Sequence, residues 1–152
     1  MRGILVVVER DWLELIERES RSSFALGRLD RSQPAWTEAG DPWLLACGDP
    51  ASVVASARFV EYELLTVEEA FDRYGYGTGA LSVDHALAQL ARGQEAGAIS
   101  PDDLVGWVAL AELESVGRPF GARELAALGI RPGPAGEPLR LDDAQVAALL
   151  GG

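Results

Sequence analysis

The sequence predicts a single α+β domain, residues 1–152, in which a barrel-like mixed sheet is flanked by short helices. Three observations predict it. Short β-branched or apolar runs bounded by charge and turn residues read as buried strands. One long strand, Val53–Leu65, carries an apolar face that switches midway, as when a strand bends to serve two parts of a barrel. Capping signals mark helices whose apolar residues recur at i, i+3 and i+4. A chain of 152 residues suits one domain and can bury roughly 70% of its unfolded surface.

Taken in order, Gly3–Val8 (GILVVV) reads as a buried strand. Asp11 is placed to cap a helix from Trp12 to about Arg18, with Trp12, Leu13 and Ile16 on one side. Arg21–Gln33 has no sustained period and is expected to be a loop ending at Pro34. Gly40-Asp41-Pro42 turns into a second buried strand, Trp43–Cys47, and Gly48-Asp49-Pro50 turns again. In the long strand the apolar face runs through Val53, Ala55, Ala57 and Phe59, then is expected to pass to Val60, Tyr62 and Leu64. Thr66 and Glu69 form a capping box for a helix burying Val67, Ala70, Phe71 and Tyr74. Ser82 starts the next helix, with Val83, Ala86, Leu87 and Leu90 on one face and Gly93 as its stop.

Gln94–Asp103 is polar and reads as a loop. Leu104–Leu113 is expected to be a central strand, with helix as the alternative for its ALAELES portion. Arg118-Pro119-Phe120-Gly121 should break the chain before a short helix, Ala122–Leu128, closed by Gly129. Ile130–Pro138 is a connection and Leu139-Arg140-Leu141 a last strand. Asp142 and Gln145 cap a final helix, Asp143–Leu150. No internal repeat or interdomain linker interrupts the order.

Charge is distributed unevenly. The net charge is −11, and all 13 basic residues are arginine. Six arginines (Arg2, Arg10, Arg18, Arg21, Arg28, Arg31) face six acids within the first 31 residues; the remaining 121 residues hold seven against eighteen. A polyanion-binding face is therefore expected in the N-terminal fifth, because the rest repels phosphate. The single cysteine, Cys47, permits no intramolecular disulfide and no cysteine-rich metal site. Ile4–Val8 is too short for a signal core or a membrane span, so a cytoplasmic location without membrane contact is expected.

Catalytic patterns are sparse. The glycines of Gly75-Tyr76-Gly77-Thr78-Gly79 follow a helix rather than a strand, so they suit a tight connection better than a nucleotide cradle. His85 is the only histidine, which leaves hydrolase triads without their usual base and a zinc site without ligands. The adjacent acids Glu68-Glu69, Asp102-Asp103 and Asp142-Asp143 sit where helices or turns begin, and capping explains them. The terminal Gly151-Gly152 ends a helix and reads as a frayed end. No catalytic residue, metal or cofactor is expected.

The succession of pieces resembles the PUA-like (EVE/SRA-related) domain found at the N-terminus of bacterial HNH endonucleases. Gly3–Val8 with Trp12 is similar to that family's opening strand and tryptophan helix, and Gly40-Asp41-Pro42-Trp43 to its G-[DE]-P-[FW] turn. Val53–Tyr62, Val67–Ser82 and Gly106–Leu110 follow in the family's order. Two segments depart from the pattern: Ser23-Phe24-Ala25-Leu26 lacks the family's tryptophan and proline, and Gly129–Gly133 lacks its tryptophan and lysine. The resemblance implies a barrel-like sheet whose concave face accepts a flipped, often modified, base. Such a pocket needs aromatic planes, polar groups for the base edge and cations for phosphates. Trp36 and Tyr76, in expected loops, and Arg28 and Arg31 are the candidate nucleic-acid-binding residues; Trp43, Phe59, Phe71 and Tyr74 are expected in the core. ASCH-type enzymes resemble a pattern that uses a catalytic lysine, which this chain lacks. A non-catalytic module recognising modified or flipped bases in DNA or RNA is the expected function. The alternative is a PUA-like scaffold domain that binds a protein partner instead.

Overall fold

A computed structural model describes residues 3–19, 23–28, 37–91, 100–133 and 138–151. Its strands form one six-stranded mixed sheet in the order β2-β5-β4-β3-β1-β6. These are β1 (Gly3–Val7), β2 (Ser23–Arg28), β3 (Pro42–Cys47), β4 (Ser52–Thr66), β5 (Leu104–Phe120) and β6 (Leu139–Leu141). The helices are α1 (Arg10–Glu19), α2 (Val67–Tyr74), α3 (Val83–Ala91), α4 (Ala122–Ala127) and α5 (Asp143–Gly151). A 3-10 turn, Gly75–Thr78, follows α2 directly. β1 pairs in parallel with β3, while the β1–β6, β2–β5 and β3–β4 pairs are antiparallel.

Contacts divide the chain into two compact units. The first comprises Met1–Arg10, Trp36–Phe59 and Glu112–Gly152. Its core gathers Leu5, Leu44, Ala46 and Val53 with Leu125, Ile130, Leu141, Val146 and Leu149. β1 and β3 are almost wholly buried, which is why both read as unbroken apolar runs. Trp43 stacks on Phe59 with centroids 6.0 Å apart and donates its indole N–H to Thr37 Oγ1 at 3.2 Å. The Asp142–Gln145 cap of α5 is reciprocal: Gln145 N donates to Asp142 Oδ1 and Asp142 N to Gln145 Oε1.

The second unit comprises Asp11–Ala35 and Val60–Ala111. Its core packs Ala25, Leu65, Val67, Ala70, Tyr74, Ala80, Ala86, Val105, Trp107 and Ala109. Trp12 sets its ring edge-on to Phe24 and donates Nε1–H to the Ala25 carbonyl at 3.3 Å. Trp107 donates Nε1–H to the Leu65 carbonyl at 3.2 Å. Both indoles thus bury a large apolar body and still satisfy their one donor.

Four expectations change. The loop expected across residues 21–33 contains β2, whose Phe24, Ala25 and Leu26 are all buried. A strand covered on both sides shows no alternation, so its period was invisible. α1 begins at Arg10, which puts Asp11 inside the first turn rather than at the cap; its Oδ1 accepts from the Trp12 amide at 3.0 Å. The apolar face of β4 does not pass to Val60 and Leu64, which are 45% and 43% exposed; Leu65 returns to the side of Phe59 and is buried. The irregularity in β4 lies earlier, where the β3 register shifts between Leu45 and Ala46. β5 runs through the expected break at Arg118-Pro119; the strand expected before it forms as read, with Ala109–Ala111 paired to β2 despite a local helical preference. Gly93 and residues 94–99 lie outside the described residues.

Candidate functional site

Of the four candidate binding residues, Tyr76 is the one whose side chain is described. Arg31 and Trp36 lie outside the described residues. Arg28 ends β2 opposite Gly106, with its side chain outside the description. The backbone brings two of the four elements together, since β2 packs against the turn that carries Tyr76. Trp43 and Tyr74, aromatic planes that a pocket could have used, are buried in the core.

The turn around Tyr76 is held from both ends. Thr66 Oγ1 accepts from the Glu69 amide at 3.1 Å, and Glu69 Oε1 accepts from the Thr66 amide at 3.0 Å, so α2 starts with a complete capping box. Those bonds to Thr66 hold the Glu69 carboxyl below the usual carboxylate range. Val67, Ala70 and Tyr74 bury one face of α2, and burial pushes the Tyr74 phenol up. Arg73 pairs with Glu63, which raises the guanidinium's pKa and neutralises that cation locally. After the turn, Thr78 Oγ1 donates to the Gly75 carbonyl at 2.9 Å, and Gly79 takes a left-handed conformation (φ 78°). Gly79 also lies flat against the Trp12 indole, where a Cβ would overlap the ring. Gln89 Nε2 donates to the Gly79 carbonyl at 2.7 Å. Tyr76 is left 41% exposed, its ring edge-on to half-buried Phe71 at 6.3 Å. A rigid, half-open phenol is suited to stacking on a planar group at little entropic cost.

A second feature escaped sequence reasoning. In the first unit a cleft of about 250 Å³ is lined by Pro42, Ser56, Ala57, Arg58, Glu112, Glu114 and Leu150. Glu112 holds a left-handed φ of 55° within β5, an unusual conformation for a residue with a side chain. Arg58 Nη1 donates to the Gly40 carbonyl at 3.3 Å. The signal in the sequence was the i, i+2 spacing of Glu112 and Glu114, which places both on one side of a strand once the helical alternative is discarded. Two carboxylates beside one guanidinium disfavour phosphate there. Among the described residues no group of three or more His, Cys, Asp or Glu could hold a metal ion. No helix of the described residues is long and apolar enough to cross a membrane.

The whole-chain architecture has known counterparts. The crystal structure of ASCH from Zymomonas mobilis superposes with a TM-score of 0.69 over 98% of this chain and 94% of that one, at 15% identity. The fold is PUA-like. The PUA-like arrangement extends to the N-terminal domain of Staphylothermus marinus McrB, with a TM-score of 0.56, 9% identity, and 97% and 92% of the two chains covered. A Pseudomonas putida structural-genomics protein matches at 0.54 and 15% identity over 98% and 97%. These likenesses support the PUA-like fold and not the specific association with HNH endonucleases. No family model matches the chain, and no curated protein matches it in sequence.

Proposed function

We propose that this protein is a non-catalytic nucleic-acid-binding module that recognises a flipped or modified base in DNA or RNA. The observation that carries the reading is the PUA-like fold across nearly the whole chain, shared with ASCH and with the N-terminal domain of McrB. Tyr76 supplies a stacking plane on a rigid turn, and β2, which ends at Arg28, packs beside that turn. Arg28 and Arg31 come from the part of the chain where arginines balance acids, and with Trp36 they remain candidates for contact with nucleic acid. The chain's other potential nucleophiles and bases support a binding role over a catalytic one. Cys47 is buried, the sole histidine is engaged in a helix cap, and there is no lysine. A cytoplasmic location accords with this role.

Labelled oligonucleotides with and without 5-methylcytosine or 5-hydroxymethylcytosine test the proposal by fluorescence anisotropy. Binding tighter than about 10⁻⁴ M that weakens with salt supports it; weaker, salt-independent signals for every oligonucleotide refute it.

A second reading, a scaffold domain that binds protein, is favoured by one observation. Val60 and Leu64 expose apolar side chains on the same side of β4, in a protein carrying a net charge of −11. A stoichiometric protein partner lost on substituting Val60→Ser and Leu64→Ser, with no nucleic acid bound, would establish it instead.

A further inference from the structure

We propose that His85 is a pH-operated latch: protonating its imidazole releases the Leu81 amide, in the segment between the turn that displays Tyr76 and α3. The inference is independent of what that turn binds.

Ser82 caps α3 in the ordinary way, its Oγ accepting from the His85 amide at 3.1 Å. A second bond is unusual. The His85 ring reaches back one residue past the cap, and its Nδ1 accepts from the Leu81 amide at 2.9 Å. A nitrogen that accepts a hydrogen bond carries no proton, so the bonded ring is the neutral tautomer with its hydrogen on Nε2. An imidazolium carries hydrogens on both nitrogens. Taking up a proton at Nδ1 therefore turns the acceptor into a donor facing another donor, and the Leu81 bond cannot persist.

The surroundings give the cation somewhere to go. Asp11 Oδ2, from α1, lies 3.7 Å from His85 Nε2, within ion-pair reach but too far for a hydrogen bond. On its own helix the ring faces Gln89, whose Nε2 is 3.5 Å from His85 Nε2, and Asp84 adjoins it in sequence. α2 also packs against α3, and among the described residues none of its charged groups comes within ion-pair distance of the ring. Asp11 is thus the carboxylate within ion-pair distance of the ring among the described residues.

The ring also lies beside the groups that hold the Tyr76 turn. Gln89, beside the ring, is also the group that holds the Gly79 carbonyl. The amide of Gly79 in turn donates to the Tyr76 carbonyl at 3.0 Å. One imidazole therefore adjoins both anchors of the segment between the turn and α3. Because the sequence contains no second histidine, no other side chain has an ordinary pKa between pH 5 and 8.

Amide exchange followed by NMR from pH 8 to pH 5 tests the device on the full chain, with rates corrected for intrinsic exchange. The Leu81 protection factor is expected to fall about fivefold as His85 titrates, the effect of losing one hydrogen bond. His85→Gln keeps an acceptor at the same helical position and cannot titrate, so its Leu81 protection is expected to stay constant. Constant protection in the unmodified protein overturns the proposal, as does an equal fall in His85→Gln. If that variant does not fold, the imidazole ¹⁵N shifts of the unmodified protein decide: an unprotonated Nδ1 at pH 8 agrees with the device, and a protonated Nδ1 refutes it.

Discussion

Replacing Gly79 by alanine tests how the candidate turn is held. Gly79 combines two demands, a left-handed φ of 78° and contact with the Trp12 ring so close that a Cβ would lie within 3.0 Å of Cδ1, Nε1 and Cγ. The backbone term alone costs about 1 kcal/mol for alanine. Trp12 is buried, so it cannot swing into solvent; displacing it carries an overpacking cost of about 1–3 kcal/mol. Losing its hydrogen bond to the Ala25 carbonyl adds about 1 kcal/mol. The expected total is roughly 3–5 kcal/mol. Gly40→Ala supplies the control, because Gly40 has a comparable φ of 94° and nothing within 4 Å of a Cβ. It should cost only the backbone term of about 1 kcal/mol. Urea denaturation of both variants, with m-values compared, measures the difference. Equal losses in the two variants would refute the contact with Trp12 as the reason for glycine.

Other predictions address the elements around the turn. Thr66→Ala removes the side-chain half of the α2 capping box and should cost about 1 kcal/mol in urea denaturation without changing the m-value; no loss would mean that α2 starts without it. Glu69 has a folded pKa below its unfolded value, so its contribution is present above the ordinary carboxyl range and is lost as pH falls through the lower folded value. Glu69→Gln should therefore flatten the decline in the urea midpoint between pH 5 and pH 3, and an unchanged decline would contradict the assignment. Trp107→Phe strands the buried Leu65 carbonyl and should destabilise by about 1–3 kcal/mol; a change below about 0.5 kcal/mol would show that the carbonyl finds another donor.

The parts legible in sequence were those with local causes. The capping pairs Thr66/Glu69 and Asp142/Gln145 form the bonds their spacing implies, and the apolar run at β1 became a buried strand. The left-handed glycines at 75 and 79 also follow from local chemistry. What stayed hidden depended on distant partners. β2 has no alternation because both its faces are covered, and Gly27 is there because a Cβ would meet the Trp107 ring at 2.9 Å. In β5 the alanine, leucine and glutamate run favours helix locally, but Phe24 and Ser23 pair with Leu110 and Ala111. Val60 and Leu64 looked like the start of a new buried face, yet alternation cannot say whether anything covers it. For the site, Tyr76 was legible as an aromatic within a glycine turn. The grip of Trp12 and Gln89 on Gly79, and the cleft at Glu112, were not, since each joins residues far apart in sequence.

The proposed binding role is tested most directly by one titration: the full chain and its Tyr76→Ala variant against fluorescent oligonucleotides, with and without modified cytosine, at two salt concentrations. The proposal predicts binding tighter than about 10⁻⁴ M that weakens as salt rises. Removing the stacking plane should weaken it by about 1–3 kcal/mol. Affinity no tighter than that limit and insensitive to salt, or equal affinity in the Tyr76→Ala variant, would contradict it.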